Sequence, residues 1–156
     1  MLVGITGSSG LIGTALRARL EADGHEVRRF VRGKQGDPAA LWDPEGGWLR
    51  PGALDGLDAI VHLAGESIGE GRWTAARKQA MRRSRVDSTR LLVAGLAAMQ
   101  SPPALICASG VGYYGSRGDE TLDESSAKGS GFLADLVADW EAEATRADDA
   151  GARTVL

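Results

Sequence analysis

Met1-Leu2-Val3-Gly4-Ile5-Thr6-Gly7-Ser8-Ser9-Gly10-Leu11-Ile12-Gly13 opens the chain. The first six residues are an apolar run that reads as a buried strand. From Leu11 onward apolar residues recur at 11, 12, 15, 16 and 20, one face of a helix, with Arg17, Arg19 and Glu21 opposite. Between strand and helix stand three glycines. Gly7 allows a tight turn, Gly10 lets backbone approach a bound phosphate, and Gly13 lets the helix pack closely on the strand. A helix start offers free N–H groups and the positive end of its dipole to an anion. Glycine is common here (22 of 156 residues), so the three glycines take their meaning from placement. Directly after a strand and directly before a helix, they predict a seat for a dinucleotide pyrophosphate.

Outward from this corner, strands and helices alternate. Gly24 is placed to end the first helix, and residues 25–32 read as a second strand. Residues 33–56 are rich in Gly and Pro and read as loop, with at most a short strand near Leu41-Trp42. Asp58 to Ala64 is another strand, and Gly65 begins the next turn. Residues 73–99 favour one long helix or two successive ones, and Pro102-Pro103 stops them before a strand from Ala104 to Ser109. A polar loop runs from Gly110 to about Gly131, and Phe132, Leu133, Leu136, Val137, Trp140 and Ala144 mark a last amphipathic helix. This alternation predicts an α/β fold: a doubly wound parallel sheet with helices on both faces and right-handed crossovers. Ligand should then lie at the carboxyl ends of the first and fourth strands, where the strand order reverses and the turns at 7–13 and 65–71 fall. Arg153-Thr154-Val155-Leu156 reads as the start of a sixth strand, so residues 1–156 are expected to form one nucleotide-binding domain, with a C-terminal substrate-binding part lying outside it.

The composition is that of a globular protein, 43% hydrophobic and 25% charged. A net charge of −3 argues against nucleic acid or anionic membrane as a partner. No apolar run reaches the ~20 residues that span a bilayer. Cys107 is the only cysteine, which precludes an internal disulfide and suits a reducing cytoplasm. No metal-ligand spacing is present among Asp, Glu, His and Cys, and no metal is expected.

The end of the second strand selects the cofactor. An NAD site usually has Asp or Glu there for the ribose 2′-hydroxyl. This strand instead ends Phe30-Val31-Arg32-Gly33-Lys34, with Val31 in the acid's place and Arg32 able to grip a 2′-phosphate bidentately. NADP is therefore expected. His62 lies inside an apolar strand and reads as a satisfied core or near-cofactor histidine. Trp42, Trp73 and Trp140 read as core anchors. Lys78, Arg82 and Arg85 share one helix face, which by spacing alone reads mostly as solvated surface. Ser109, Tyr113 and Tyr114 gather at the end of a central strand, where a hydroxyl and a phenol can meet a substrate carbonyl or alcohol.

Thr6-Gly7-x-x-Gly10-x-x-Gly13, His62-Leu63-Ala64-Gly65 and Tyr114-Gly115 resemble the extended short-chain dehydrogenases/reductases. More narrowly, His62 to Glu66, Arg72-Trp73-Thr74, Ser84-Arg85-Val86, Val111 to Gly115 and Gly129 to Leu133 resemble its epimerase-family subgroup. Members of that subgroup are often named nucleoside-diphosphate-sugar epimerases, and some are described as cell-division-inhibitor-like. The resemblance spans essentially the whole chain. It implies a Rossmann-type NADP-binding half, with Gly7, Ser9, Gly10, Leu11, Ile12 and Gly13 cradling the pyrophosphate and Arg32 on the 2′-phosphate. Leu63, Ala64 and Gly65 would flank the adenosine side, and Arg85 would reach the cofactor from its helix. Related enzymes dimerise through helices that correspond here to 73–99 and 131–150.

One departure divides the functional reading. The superfamily's proton relay is Tyr-x-x-x-Lys on the helix after the fifth strand, where lysine lowers the tyrosine pKa. The only tyrosines here are 113 and 114, with Arg117 and Gly118 four residues on, and the matching helix offers Phe132 and Leu136. Ser109 precedes Tyr113 by four residues and Tyr114 by five. Two expectations remain. One is an NADP-dependent oxidoreductase or epimerase-like enzyme, with Ser109 polarising a substrate oxygen and Tyr113 or Tyr114 as acid. The other is a non-catalytic NADP(H)-binding redox sensor or scaffold.

Overall fold

β1 (Leu2–Thr6) runs between β2 (Glu26–Phe30) and β5 (Ala59–His62) and is parallel to both, with Ile5 opposite Arg29 on one side and Val61 on the other. The computed structural model describes residues 1–156. α1 (Leu11–Ala22) joins β1 to β2. The short strands β3 (Trp42–Asp43) and β4 (Trp48–Leu49) precede β5, and α2 (Ala75–Arg82) and α3 (Ser88–Ala97) follow it. β6 (Ala104–Cys107), α4 (Phe132–Asp149) and β7 (Thr154–Val155) complete the chain. The main sheet has the order β2-β1-β5-β6-β7, parallel throughout. Strand order therefore reverses between β1 and β5, as the alternation predicted. Right-handed crossovers put α1 on one face and α2, α3 and α4 on the other. Thr6, His62 and Cys107 stand level across β1, β5 and β6, so the strands end together at one edge.

The core lies under α3 and α4. Ile60, Met81, Leu92, Leu96, Leu105, Leu136 and Trp140 are buried there, each aliphatic side chain contributing about 1.5–3 kcal/mol on leaving water. Lys78, Arg82 and Arg85 do share a face, and that face meets α4, with Arg82 still about half exposed. The Lys78 ammonium lies 5.3 Å from the Phe132 ring centre, Arg82 pairs with Asp139, and the Arg85 guanidinium stands 5.4 Å from the Trp140 ring. α2 and α3 form one helical path joined by a π turn at Arg83–Asp87. No helix is long and apolar enough to cross a membrane.

Three local expectations need correction. First, the stretch 33–56 holds the short strand expected near Leu41-Trp42, β3, but also β4, which pairs with it antiparallel, and Trp42 further bridges Arg32 in parallel. Trp42 is the reason. It is fully buried, donates from Nε1 to the Phe30 carbonyl at 3.1 Å, and stands edge-on to Phe30 and His62. Second, Leu11, Ile12 and Ala15 do not face the sheet; Gly13 is the buried residue of α1, and Leu16 and Leu20 are half-buried. α1 begins five residues after β1 ends, so its first turn overhangs the strand ends. Third, Trp73 is 40% exposed and packs on Phe132 instead of entering the core.

Candidate functional site

The glycine corner is fixed by close backbone approach. Gly7 has φ +66°, and a Cβ there would stand 2.9 Å from the Leu63 carbonyl, so the turns after β1 and β5 lie back to back. A Cβ on Gly13 would stand 2.2 Å from the Gly7 oxygen, which only glycine permits. At Gly10 the nearest atom to such a Cβ is the Gly7 oxygen at 3.3 Å, and the other directions are open. Gly10 is also the N-cap of α1 and supplies no side-chain acceptor to the helix's first N–H groups. A turn with these properties fits a pyrophosphate: close backbone, an open approach and an uncapped positive helix end.

In front of the turn lies a cleft of about 820 Å³. Gly7, Ser8, Ser9 and Gly10 form one wall, Arg29 to Arg32 with Trp42, Pro44 and Glu45 the second. Leu63 to Glu66 and the helix residues Ala80, Arg83, Ser84, Asp87 and Ser88 close it. The structure thus gathers seven of the residues singled out in the sequence: Gly7, Ser9, Gly10, Arg32, Leu63, Ala64 and Gly65. Gly13 sits behind the turn, and Leu11 and Ile12 stand exposed at the start of α1. Arg85 is behind the Gly65 turn, where its guanidinium would be 3.0 Å from a Gly65 Cβ and donates to the Glu66 carbonyl at 3.0 Å. Burial lowers its pKa, with the Glu66 charge opposing.

Two arginines of the cleft are not singled out by the sequence. Arg29 donates from Nε to the Ser8 hydroxyl at 3.3 Å, and Arg83 enters from the helix side. Alternation along β2 offered a signal for the first, since Arg28 and Arg29 must point to opposite faces; Arg28 reaches the Ala53 and Asp55 carbonyls instead.

Behind the Leu63–Ala64 wall of the cleft lies a polar network centred on the buried Thr6, His62 and Ser88. Thr6 Oγ1 lies 2.7 Å from His62 Nδ1 and accepts from the Leu63 and Ala64 N–H groups at 3.1 and 3.2 Å. Ser88 Oγ lies 3.2 Å from His62 Nε2 and donates to the Ser84 carbonyl at 2.7 Å. Burial, helped by the Arg85 charge, pushes the His62 pKa down to about 3. Cys107, next along the same edge, is pushed up to about 12 by burial and is no thiolate nucleophile.

Ser109, Tyr113 and Tyr114 come together, but in a separate depression of about 330 Å³ shared with Gly110, Val111 and Glu141. The Ser109 hydroxyl donates to the Glu141 carboxylate. The tyrosine rings meet edge-on at 5.4 Å. The Tyr114 pKa is raised, first by desolvation and then by the carboxylates of Glu124, Asp123 and Glu141.

The sequence pattern of the NAD dependent epimerase/dehydratase family matches residues 3–155, from β1 through the glycine turn and cleft to β7. The chain belongs to that family. A relative named "Epimerase family protein Mb2239", from Mycobacterium bovis, is 46% identical over 156 residues, covering 99% of this chain and 52% of the relative. A solved structure described as the nucleoside-diphosphate sugar epimerase from Corynebacterium glutamicum superposes with a TM-score of 0.82 at 41% identity, covering 99% of this chain and 32% of that one. The human epimerase family protein SDR39U1, solved with NADPH, gives a TM-score of 0.75 at 34% identity over 92% of this chain and 48% of that one. The chain spans about half the length of the curated relatives it matches.

Within this family fold, the α4 residues that face the loop after β6 are Leu133 and Val137. Leu133 Cβ lies 3.1 Å from where a Gly112 Cβ would be, and Val137 Cγ2 3.6 Å from that of Gly110. Of the pair singled out in the sequence, Phe132 packs on Trp73 and Leu136 enters the core. Both of these i, i+4 pairs on α4 are apolar, and neither can carry a proton.

Proposed function

We propose that this chain is the NADP(H)-binding half of an extended short-chain oxidoreductase or epimerase-like enzyme acting on an alcohol or carbonyl, with nucleotide sugars as the first substrate class to test. The observation that carries the reading is the cleft. Its glycine corner suits a pyrophosphate, and its β2 end presents Arg32, with Arg29 and Arg83 on the same walls and no acid at position 31. Three guanidinium groups favour a coenzyme bearing an extra phosphate. The NADPH held by the human relative supports the same choice.

In this reading Gly7, Ser9, Gly10, Leu11, Ile12 and Gly13 hold the pyrophosphate, mainly through backbone N–H groups. Arg32 pairs with the 2′-phosphate. Leu63, Ala64 and Gly65 flank the adenosine side, and Arg85 braces Gly65 from behind and places positive charge beneath the cofactor. When bound, the coenzyme supplies hydride chemistry. Ser109 polarises the substrate oxygen, and Tyr113 or Tyr114 exchanges its proton. The remaining substrate contacts come from a C-terminal part, and two copies associate through residues 73–99 and 131–150.

The apolar pair Leu133 and Val137 favours a second reading, a non-catalytic NADP(H)-binding sensor or scaffold. The two readings separate in one experiment. In the full-length protein, NADPH binding is followed by fluorescence, and turnover of a panel of nucleotide-sugar and simple carbonyl compounds is followed both by coenzyme absorbance and by product analysis, since an epimerase returns its coenzyme unchanged. Turnover that falls in Tyr113→Phe or Tyr114→Phe supports the enzyme. Tight binding without turnover, unchanged in both variants, supports the sensor. No binding of either reduced coenzyme overturns both.

A further inference from the structure

The geometry points to His62 as a positioning residue for the cleft: a neutral ring, protonated on Nε2, that orients the Thr6 hydroxyl to hold the Leu63 and Ala64 N–H groups in the cleft wall. Its link to the cofactor rests on the proposed nucleotide site, but its hydrogen-bond assignment does not.

The assignment follows from counting donors. Thr6 Oγ1 has three polar neighbours: the Leu63 N–H at 3.1 Å, the Ala64 N–H at 3.2 Å and His62 Nδ1 at 2.7 Å. The two N–H groups can only donate, and they use both lone pairs of the hydroxyl. Its proton must go to Nδ1, which is therefore an acceptor. In the neutral ring the proton then sits on Nε2. Nε2–H meets Ser88 Oγ at 3.2 Å, and the Ser88 proton passes on to the Ser84 carbonyl at 2.7 Å. Every group in the chain has a partner. With a proton on Nδ1, Thr6 would face three donors, and its own proton would have no acceptor in a site where Thr6, His62 and Ser88 are all buried.

This network ties three elements to one ring. Thr6 is the last residue of β1, Leu63 and Ala64 begin the turn after β5, and Ser88 opens α3. Leu63, Ala64 and Ser88 line the cleft, and Gly7 lies against the Leu63 carbonyl. A ring that fixes the Leu63–Ala64 amides therefore fixes the spacing of the two turns between which the coenzyme is proposed to lie.

The test uses the whole 156-residue chain with ring-15N histidine. The expected spectrum has His62 Nδ1 at a pyridine-like shift and Nε2 at a pyrrole-like shift, unchanged from about pH 8 to 5. A proton on Nδ1, or a ring that titrates in that range, overturns the proposal. Variants supply a second arm through amide hydrogen exchange at Leu63 and Ala64. His62→Asn keeps an acceptor near Nδ1, whereas His62→Leu keeps volume alone. Protection of the two amides should survive better in the asparagine variant, and NADPH should bind about tenfold more weakly in the leucine variant than in the parent. Equal or better protection with leucine would mean a merely steric role and overturns the proposal. Should His62→Leu fail to fold, Thr6→Val reports the same loss: faster exchange at both amides and a ring no longer held in one tautomer. Unchanged exchange in Thr6→Val overturns the assignment. A parent chain that shows the expected tautomer and protection but binds no NADPH sinks the nucleotide reading alone.

Discussion

The Cβ that Gly13 lacks would stand 2.2 Å from the carbonyl oxygen of Gly7, while the one that Gly10 lacks would meet only that same oxygen, at 3.3 Å. The two glycines therefore do different work within one turn. Gly13→Ala must push α1 off the turn, and overpacking against backbone should cost about 1–3 kcal/mol of stability, read from urea unfolding midpoints. Gly10→Ala should leave stability within about 1 kcal/mol of the parent, because its Cβ has room. It should nonetheless weaken NADPH binding in a fluorescence titration, since the added methyl group occupies the approach to the turn. Equal loss of stability in both variants would contradict this division.

Arg32 and Arg29 also separate. Arg32 sits at the cleft wall beyond β2, whereas Arg29 is tied to the Ser8 hydroxyl beside the glycine turn. Arg32→Ala should weaken NADPH by about 1.5–3 kcal/mol, the worth of a hydrogen bond to a charged group, and leave NADH nearly unchanged. Arg29→Ala should weaken both coenzymes alike, because it disturbs the part of the site they share. Calorimetric titration with each coenzyme checks both outcomes, and a parallel loss for both in Arg32→Ala would remove the basis for choosing NADP.

How much of this was legible beforehand depended on the range of the interactions involved. The β1 corner is local: turn geometry, helix start and glycine spacing lie within eight residues, and the structure repeats them as read. Arg32, which lines the cleft, could be singled out because the residue just after this strand is where such a fold makes a chemical choice. The short strand β3 is legible near Leu41-Trp42, but its pairing with β4 is not, because two-residue strands have no periodicity and Trp42 is held by Phe30 and His62, contacts remote in sequence. The Lys78, Arg82 and Arg85 stripe is legible as one face and, at Arg82, as exposed surface; its contact with α4 is not, because that helix is remote in sequence. Arg83 escaped for a related reason. The π turn at 83–87 rotates the helix face, so spacing counted from α2 does not carry through to the cleft.

Tyr114 gives a prediction opposite in sign to the superfamily's catalytic tyrosine. A lysine neighbour lowers a phenol's pKa, but Tyr114 is desolvated and has Glu124, Asp123 and Glu141 nearby, all of which favour the protonated phenol. In a spectrophotometric titration of phenolate absorbance, Tyr114 should ionise above the ordinary tyrosine value. The step lost in Tyr114→Phe identifies it. If this residue transfers a proton, it does so as an acid and not as a resting phenolate, and activity should persist until the pH nears that high step. A Tyr114 that ionises below the ordinary value would contradict the surroundings described here.

His62 gives the chain a pH-dependent stability whose direction can be worked out. Its folded pKa is about 3, below the ordinary 6.5 that the unfolded chain should show. Between those values the unfolded state binds a proton that the folded state refuses, so protonation favours unfolding. The contribution is fully present above about pH 6.5 and is lost progressively as pH falls toward 3. One proton over the interval from pH 6.5 to 5 amounts to about 2 kcal/mol. Urea unfolding at pH 7 and pH 5 should show a loss of that order in the parent chain. His62→Asn has no titrating ring at this position and should show a smaller loss over the same interval, although it starts from lower stability at pH 7. His25, the other histidine, lies outside the buried network and remains in both chains, so its effect cancels in the comparison. The same pH dependence in the variant as in the parent would show that His62 is not the buried neutral ring behind the cleft wall.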